Sequence, residues 1–241
     1  MAMALDIVHT SLRALRPYTN EGEFSPKETL HTIRNMIMTV DDPFRSDISH
    51  GINRLITDAE KRVRRDMGGM PARARDEAMA RLYREGYDPE LDLEALKKMP
   101  ASTLGNRYYR FITDNKFDPL ESLAHIQATD LLSYTYRRAY KLHDIMHVVM
   151  GWDATTLGEF RLVAFSVGQS GDEHTRQMPL MALIVLYLHI ALKKPWLLPA
   201  AIRLDRKYRQ MGMAAPNYSS FRFEEHWEKT PEEVRALYLA S

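Results

Sequence analysis

The 241-residue chain has no cysteine. That removes disulfides, thiolate metal ligands and cysteine nucleophiles together, so any metal must be held by nitrogen and oxygen. It also fits a reducing compartment. An excess of charge is lacking too. The 33 Lys and Arg are matched by 32 Asp and Glu, which gives no reason to expect a nucleic acid partner. Even the basic-looking "KRVRRDMGGMPARARDEAMARLYRE" is interleaved with Asp66, Asp76, Glu77 and Glu85 and reads as solvated helices. Long hydrophobic runs are missing as well. The longest, "PLMALIVLYLHIAL" at 179–192, is closed by Lys193 and Lys194 and is too short to span a bilayer. The N-terminal "MAMALDIVHTSLRALRPY" lacks the long apolar core and small-residue cleavage site of a secretory signal, so a soluble or at most peripheral protein is expected. No stretch alternates cleanly enough for a strand, and no repeat or low-complexity tract is present.

What is there is helical patterning. Ser25, Pro26 and Glu28 form an N-cap, first-turn proline and capping box, followed by Leu30, Ile33, Ile37 and Val40 on one face. Ile48, Ile52, Leu55, Ile56, Ala59 and Val63 draw a second stripe that stops at Gly68-Gly69. A helix is expected from Pro71 to Gly86, another after a cap at Ser102 or Thr103, and one continuous helix from near Thr129 to Gly151. Thr155 or Thr156 caps the next, two apolar helices follow, and Thr230, Pro231 and Glu233 open a last short one. The fold class is all-α. We read 1–241 as a single helical domain, with 1–98 an N-terminal helical segment and the "DMGGMPARAR" turn the one plausible seam.

The stretch "HDIMHVVMGWDATTLGE", 143–159, carries the chemistry. At about 100° per residue, His143 and His147 lie about 40° apart and Asp144 about 60° from His147, so the three side chains can converge. Gly151 and "WDATT" separate them from Glu159, which would enter near the start of a second, antiparallel helix. Two imidazoles and two carboxylates suit zinc, iron or manganese better than calcium. With nine histidines, a pair four apart is a weak signal by itself. A satisfied polar cluster in a greasy helix is the alternative, since burying such groups without partners costs several kcal/mol.

The same stretch matches HDxxH-x11-E and resembles the signature of the ubiquinone (coenzyme Q) biosynthesis proteins numbered fourth in the Coq series. "MPASTLGNRYYRFI" (99–112), "YTYRRAYKLHD", "GEFRLVAFSVGQSG" and "EEHWEKTPEEVRALY" are similar to that family's flanking elements, so the likeness covers residue 99 to the end. The resemblance implies that His143, Asp144, His147 and Glu159 are metal ligands and catalytic residues. Zinc is the usual metal, with iron, magnesium or manganese as alternatives. It implies a lyase-type activity in which a polyprenylated hydroxybenzoate loses its ring carboxylate and is hydroxylated at the same carbon. It also implies other ubiquinone-biosynthesis enzymes as partners and peripheral attachment to a membrane surface. The place would be the cytoplasmic side of the inner membrane in a bacterium or the mitochondrial matrix face in a eukaryote. A homo-oligomer is a further expectation. Trp152-Asp153 and the charged "SGDEHTRQ" depart from the pattern, which bears on whether the ring is a ubiquinone precursor.

Two other functions compete. One is a prenyl-lipid-binding scaffold that organises other ubiquinone-biosynthesis enzymes without catalysis. The other is an HD-type phosphohydrolase, which needs a histidine further upstream than His125 and a late aspartate such as Asp205. Tyr136 and Tyr140, one to two turns before the histidines, are candidate substrate-binding proton donors, although such tyrosines more often simply pack. His189 reads as a core histidine. The stripe Leu180, Leu183, Ile184, Leu186, Tyr187 and Ile190 suits either helix core or the wall of a prenyl-tail tunnel. Arg203, Arg206, Lys207 and Arg209 suit either a solvated face or anionic lipid headgroups.

Overall fold

The structure, a computed structural model, describes residues 76–124, 127–170 and 173–241, together with Arg34. Apart from Arg34, the helices expected over 25–40 and 48–63 lie outside these residues, as does His125. Among the described residues every regular element is a helix: α1 (Glu77–Arg84), α2 (Leu93–Lys97), α3 (Leu104–Asn115), α4 (Pro119–Ala124), α5 (Leu131–Lys141), α6 (His143–Met150), α7 (Thr156–Gln169), α8 (Glu173–Lys193), α9 (Leu198–Ala214) and α10 (Pro231–Leu239), with short 3₁₀ turns at Pro195–Leu197, Tyr218–Ser220 and Phe223–His226.

Most boundaries follow from capping chemistry. Thr103, not Ser102, accepts from the Asn106 amide and starts α3. Thr155 does the same for Gly158 at α7. Thr230 and Glu233 close a reciprocal capping box around Pro231 at α10. Two expectations are corrected. The helix ending at Gly86 begins at Glu77 rather than Pro71, because Asp76 adopts a non-helical φ and ψ and its carboxylate accepts from the Ala78 amide at 2.9 Å. The helix drawn from Thr129 to Gly151 starts after Asp130 and is two helices, α5 and α6. At Leu142 ψ opens to −7° and the chain turns, with Leu142 itself wholly buried in the elbow. Helices α2 and α4 were not anticipated, since five or six residues are too few to display a helical period.

The main core forms around α6. Ile145, Met146 and Val149 pack with Leu104, Tyr108 and Ile112 of α3, Leu162 and Phe165 of α7, and Val234 and Tyr238 of α10. Phe160, Ala164 and Val167 leave α7 in the other direction and meet Leu180, Leu183, Leu186 and Ile190 of α8 and Ala201 of α9. Helix α7 is therefore apolar on most of its circumference because it lies between two clusters. The α8 stripe is helix core, and His189 is buried with it. Glycines set how closely α7 and α9 cross: a Cβ on Gly168 would overlap the Arg209 carbonyl, and one on Gly212 the Phe165 carbonyl. Each large apolar side chain in these clusters is worth about 1.5–3 kcal/mol when fully buried.

A buried ionic network ties the elements preceding α6 to the C-terminal part of the chain. The Arg138 guanidinium, with no exposure, donates to both carboxylate oxygens of Glu224 and to the Ser219 and Phe221 carbonyls. Lys141 Nζ reaches Asp88 Oδ1 at 2.9 Å and the Pro89 carbonyl. Arg137 Nε donates to Asp88 Oδ2 at 2.8 Å. This network fixes the C-terminal end of α5, and so the point from which α6 departs.

Candidate metal centre

Helix α6 presents His143 in its first turn and His147 one turn on. Gly151, at φ +69°, stops it in the left-handed conformation that favours glycine. The chain then turns through Trp152 and Asp153, where Asp153 Oδ1 accepts from the Thr155 amide and hydroxyl. Helix α7 begins with Glu159 in its first turn. Gly158 is required by this turn: a Cβ there would overlap the Asp153 carbonyl oxygen. The glycine in front of the glutamate lets the Asp153 turn fold back onto the first turn of α7.

The two helices bring His143, His147 and Glu159 together, with one ligand-type atom from each within 4.8 Å of the others. His143 Nε2 lies 3.4 Å from Glu159 Oε2, and His147 Nε2 lies 3.2 Å from Glu159 Oε1. Two ligands at about 2.05 Å from a tetrahedral zinc are separated by about 3.3 Å. The spacing is therefore that of ligands sharing one ion.

The tautomers agree with that spacing. His147 Nδ1 faces the Trp152 carbonyl at 3.3 Å, and a carbonyl only accepts, so Nδ1 carries the proton. His143 Nδ1 faces Asp144 Oδ1 at 2.9 Å in the same way. Each ring is thus turned to direct the lone pair of its Nε2 at the Glu159 carboxylate, the arrangement in which an outer partner orients a metal-ligating histidine. His147 Nε2 is fully buried and makes no hydrogen bond. An acceptor nitrogen facing a carboxylate oxygen calls for a cation or a proton between them. The residues present fit a divalent metal.

Without a metal, a proton fills the same role. Burial works to lower the His143 pKa, but the Glu159 charge and the hydrogen bond to Asp144 outweigh it and raise it well above 6.5. Burial works to raise the Glu159 pKa, but His147 and His143 outweigh it and hold it far below the usual carboxylate range. The trio is therefore either an imidazolium–carboxylate pair or a metal site, and the two states compete for the same atoms.

Of the four ligands implied by the motif, three converge. Asp144 is the exception: its carboxylate serves His143 Nδ1 and is not among the converging group. Tyr136 and Tyr140 lie on α5, beyond the elbow at Leu142, so their helical register does not carry into α6; Tyr140 packs against the main core. Two contributors went unnoticed in the sequence. The Phe111 ring stacks on His147 at 5.3 Å with an interplanar angle of 22°. The backbone carbonyl of Trp152 holds the same imidazole, while the indole is anchored edge-on against Phe165 and Tyr208. Phe111 was within reach, since it closes the "LGNRYYRF" element; a backbone carbonyl leaves no trace in a sequence. The site is closed on the His147 side and open on the other, where the His143 side chain is 37% exposed.

The chain is 29% identical over 147 residues to the mitochondrial ubiquinone biosynthesis protein COQ4 homolog of Danio rerio, covering 60% of this chain and 52% of that one. The Mus musculus homolog is 30% identical over 141 residues, covering 58% and 50%, and the Homo sapiens homolog 29% over 149, covering 61% and 52%. The chain thus spans about half the length of the curated relatives it matches. A crystal structure of a protein from Nostoc punctiforme superposes with a TM-score of 0.61 at 19% identity, over 91% of this chain and all of that one, and shows the same fold. Residues 87–239, well over half the chain and including the whole candidate site, match the model of one family: the chain belongs to the coenzyme Q (ubiquinone) biosynthesis protein Coq4 family.

Proposed function

We propose that this protein acts in ubiquinone biosynthesis as a metal-dependent enzyme that removes the ring carboxylate of a polyprenyl hydroxybenzoate, with hydroxylation at the same carbon. The observation that supports this reading best is the pair of oriented Nε2 lone pairs facing one carboxylate at 3.2 and 3.4 Å. Three protein ligands with one side open to solvent is the pattern of catalytic rather than structural zinc sites. A dication held there would draw negative charge away from the substrate carboxylate and the neighbouring phenolate oxygen.

The protein's own residues supply the positioning. His147, buried under Phe111, and Glu159, fixed by the α7 cap, define the floor of the site. His143, kept in one tautomer by Asp144, borders the open side from which a ring would enter. The carbon–carboxylate bond breaks with its electron pair left on the ring, and carbon dioxide departs. Substrate acid, water and dioxygen then balance as ring phenol, carbon dioxide and hydrogen peroxide, so dioxygen is the oxidant whether the metal is zinc or redox-active iron.

The competing scaffold reading is favoured by one consideration: a proton on His143, whose pKa the Glu159 and Asp144 carboxylates raise, would satisfy Glu159 without any metal. Single-turnover assays separate the two. Metal-loaded protein is mixed with a polyprenyl hydroxybenzoate under dioxygen and the released carbon dioxide is counted. The enzyme reading expects release that His147→Ala abolishes while fold and prenyl-lipid binding persist. Turnover unchanged in that variant, or lipid binding without release in the wild type, would favour the scaffold.

A further inference from the structure

A buried hydroxyl in the core beside the metal centre has no hydrogen-bond partner among the described residues. It belongs to Tyr108 of α3, a side chain with no exposure at all. Leaving such a donor unsatisfied costs about 1–3 kcal/mol. The ring is held firmly in place. The first amides of α3, Leu104 and Gly105, donate to the Lys229 and Trp227 carbonyls, and the Tyr108 ring packs on the Trp227 indole with centroids 5.6 Å apart. Toward α6 the same ring joins the core around Leu142 and Ile145.

The register of the two helices brings this phenol near Asp144. On α3, Phe111 follows Tyr108 by one turn and stacks on His147; on α6, His147 follows Asp144 by the same step. The electrostatics agree. Burial raises the Tyr108 pKa far above the usual tyrosine range, and the Asp144 and Glu224 charges raise it further, so the hydroxyl keeps its proton and is a donor. The two acids differ in what they have left to accept. Glu224 is taken up by Arg138 through both oxygens, with Lys141 Nζ 3.8 Å from Oε1. Asp144 spends Oδ1 on His143 Nδ1, and among the described residues no group donates to its Oδ2. A donor without an acceptor thus stands near an acceptor without a donor. A water spans such a gap where polar partners flank it.

We propose that the Tyr108 hydroxyl donates through one buried water to Asp144 Oδ2, and so fixes the carboxylate that faces His143. Tyr108 is then a positioning residue: it touches neither metal nor substrate and acts on the His143 ring through Asp144. Helix α3 would thereby orient both imidazoles, His147 through the stacked Phe111 and His143 through Tyr108, one turn earlier. Its effect on zinc rests on the metal reading of the trio. Its effect on the metal-free protein rests only on the hydrogen bond between His143 and Asp144.

The test uses the full chain. Tyr108→Phe removes the hydroxyl and keeps the ring packing, so the fold should persist with little change in its urea midpoint. Tyr134→Phe is the control, since its hydroxyl donates to the Tyr87 carbonyl in a separate apolar cluster. Zinc affinity is read by competition with a chromophoric chelator. Tyr108→Phe should lose about 3–10-fold, less than the 10–100-fold expected for a direct outer partner. The control should lose nothing, and adding Tyr108→Phe to Asp144→Ala should bring no further loss. In the metal-free protein, the downfield proton resonance of His143 Nδ1–H, assigned by its loss in Asp144→Ala, should shift or broaden in Tyr108→Phe. If the wild type binds no zinc the metal reading fails, while a shifted resonance still supports the proposal and an unmoved one overturns it. Zinc affinity unchanged in Tyr108→Phe, or an equal loss in the Asp144→Ala background, would also overturn it.

Discussion

Replacing Asp144 tests the geometry of the site more sharply than removing a ligand. In the structure its carboxylate accepts from His143 Nδ1 at 2.9 Å and does not join His143, His147 and Glu159. From this geometry we propose that it orients an imidazole. Losing such an outer partner costs about 10–100-fold in metal affinity, about 1.4–2.7 kcal/mol. Asp144→Ala removes the acceptor and should lie within that range. Asp144→Asn keeps an acceptor oxygen of the same reach, so the His143 tautomer survives and the loss should sit at or below the lower end. Glu159→Gln removes the anion that both Nε2 atoms face and should lose far more than either. The assay is competition of metal-free protein for zinc against a chromophoric chelator at fixed pH. If Asp144→Asn weakens zinc as severely as Glu159→Gln, Asp144 is itself a ligand and its role as an orienting carboxylate is refuted.

Metal affinity should fall on acidification, beginning above the ordinary histidine range, because His143 in the metal-free protein holds its proton above pH 6.5. Calorimetric titrations in buffers of different ionisation enthalpy should show a proton released on binding. In the metal-free protein the same pair makes stability peak between two limits. Glu159 has a depressed pKa, so its contribution is present above about pH 4.5 and lost as pH falls through its folded value. His143 has a raised pKa, so its contribution is full below pH 6.5 and lost as pH rises through its own. A thermal denaturation series over pH, with chelator present, checks this; stability that climbs steadily through pH 8 would contradict it. Glu224→Ala should destabilise the fold by about 3–5 kcal/mol, since it leaves the unexposed Arg138 without its carboxylate. Glu85→Ala, which removes only a surface partner of Arg222, should cost about 1 kcal/mol or less, and urea titration of both variants measures the difference. Gly158→Ala drives a methyl into the Asp153 carbonyl and should cost about 1–3 kcal/mol, with zinc binding impaired because Glu159 is the next residue.

The helical character of the chain was legible wherever a cap or a stop is spelled out in side chains. Thr103, Thr155, Gly151 and the Thr230–Glu233 box each sit where the sequence places them. The elbow at Leu142 was not legible, because nothing in "AYKLHD" breaks a helix; it accompanies Arg138 and Lys141 committing to Glu224 and Asp88, residues far off in sequence. Three of the four site residues were brought together as their spacing suggested. That the Asp144 carboxylate lies against His143 Nδ1 was hidden, since on a helical wheel it is within reach of the ion as well. Arg209 looked like one more free cation and proves to be tied to Asp205 one turn earlier, whereas Arg203, Arg206 and Lys207 face solvent at least in part, as a solvated face would.

A divalent metal held by His143, His147 and Glu159 is the central claim. Elemental analysis of protein purified without chelators, for wild type and for Glu159→Ala, tests it most directly. About one equivalent of zinc or iron per chain in the wild type, lost in the variant, is the predicted result. No metal in either protein would contradict it and leave a protonated His143–Glu159 pair as the occupant of the site.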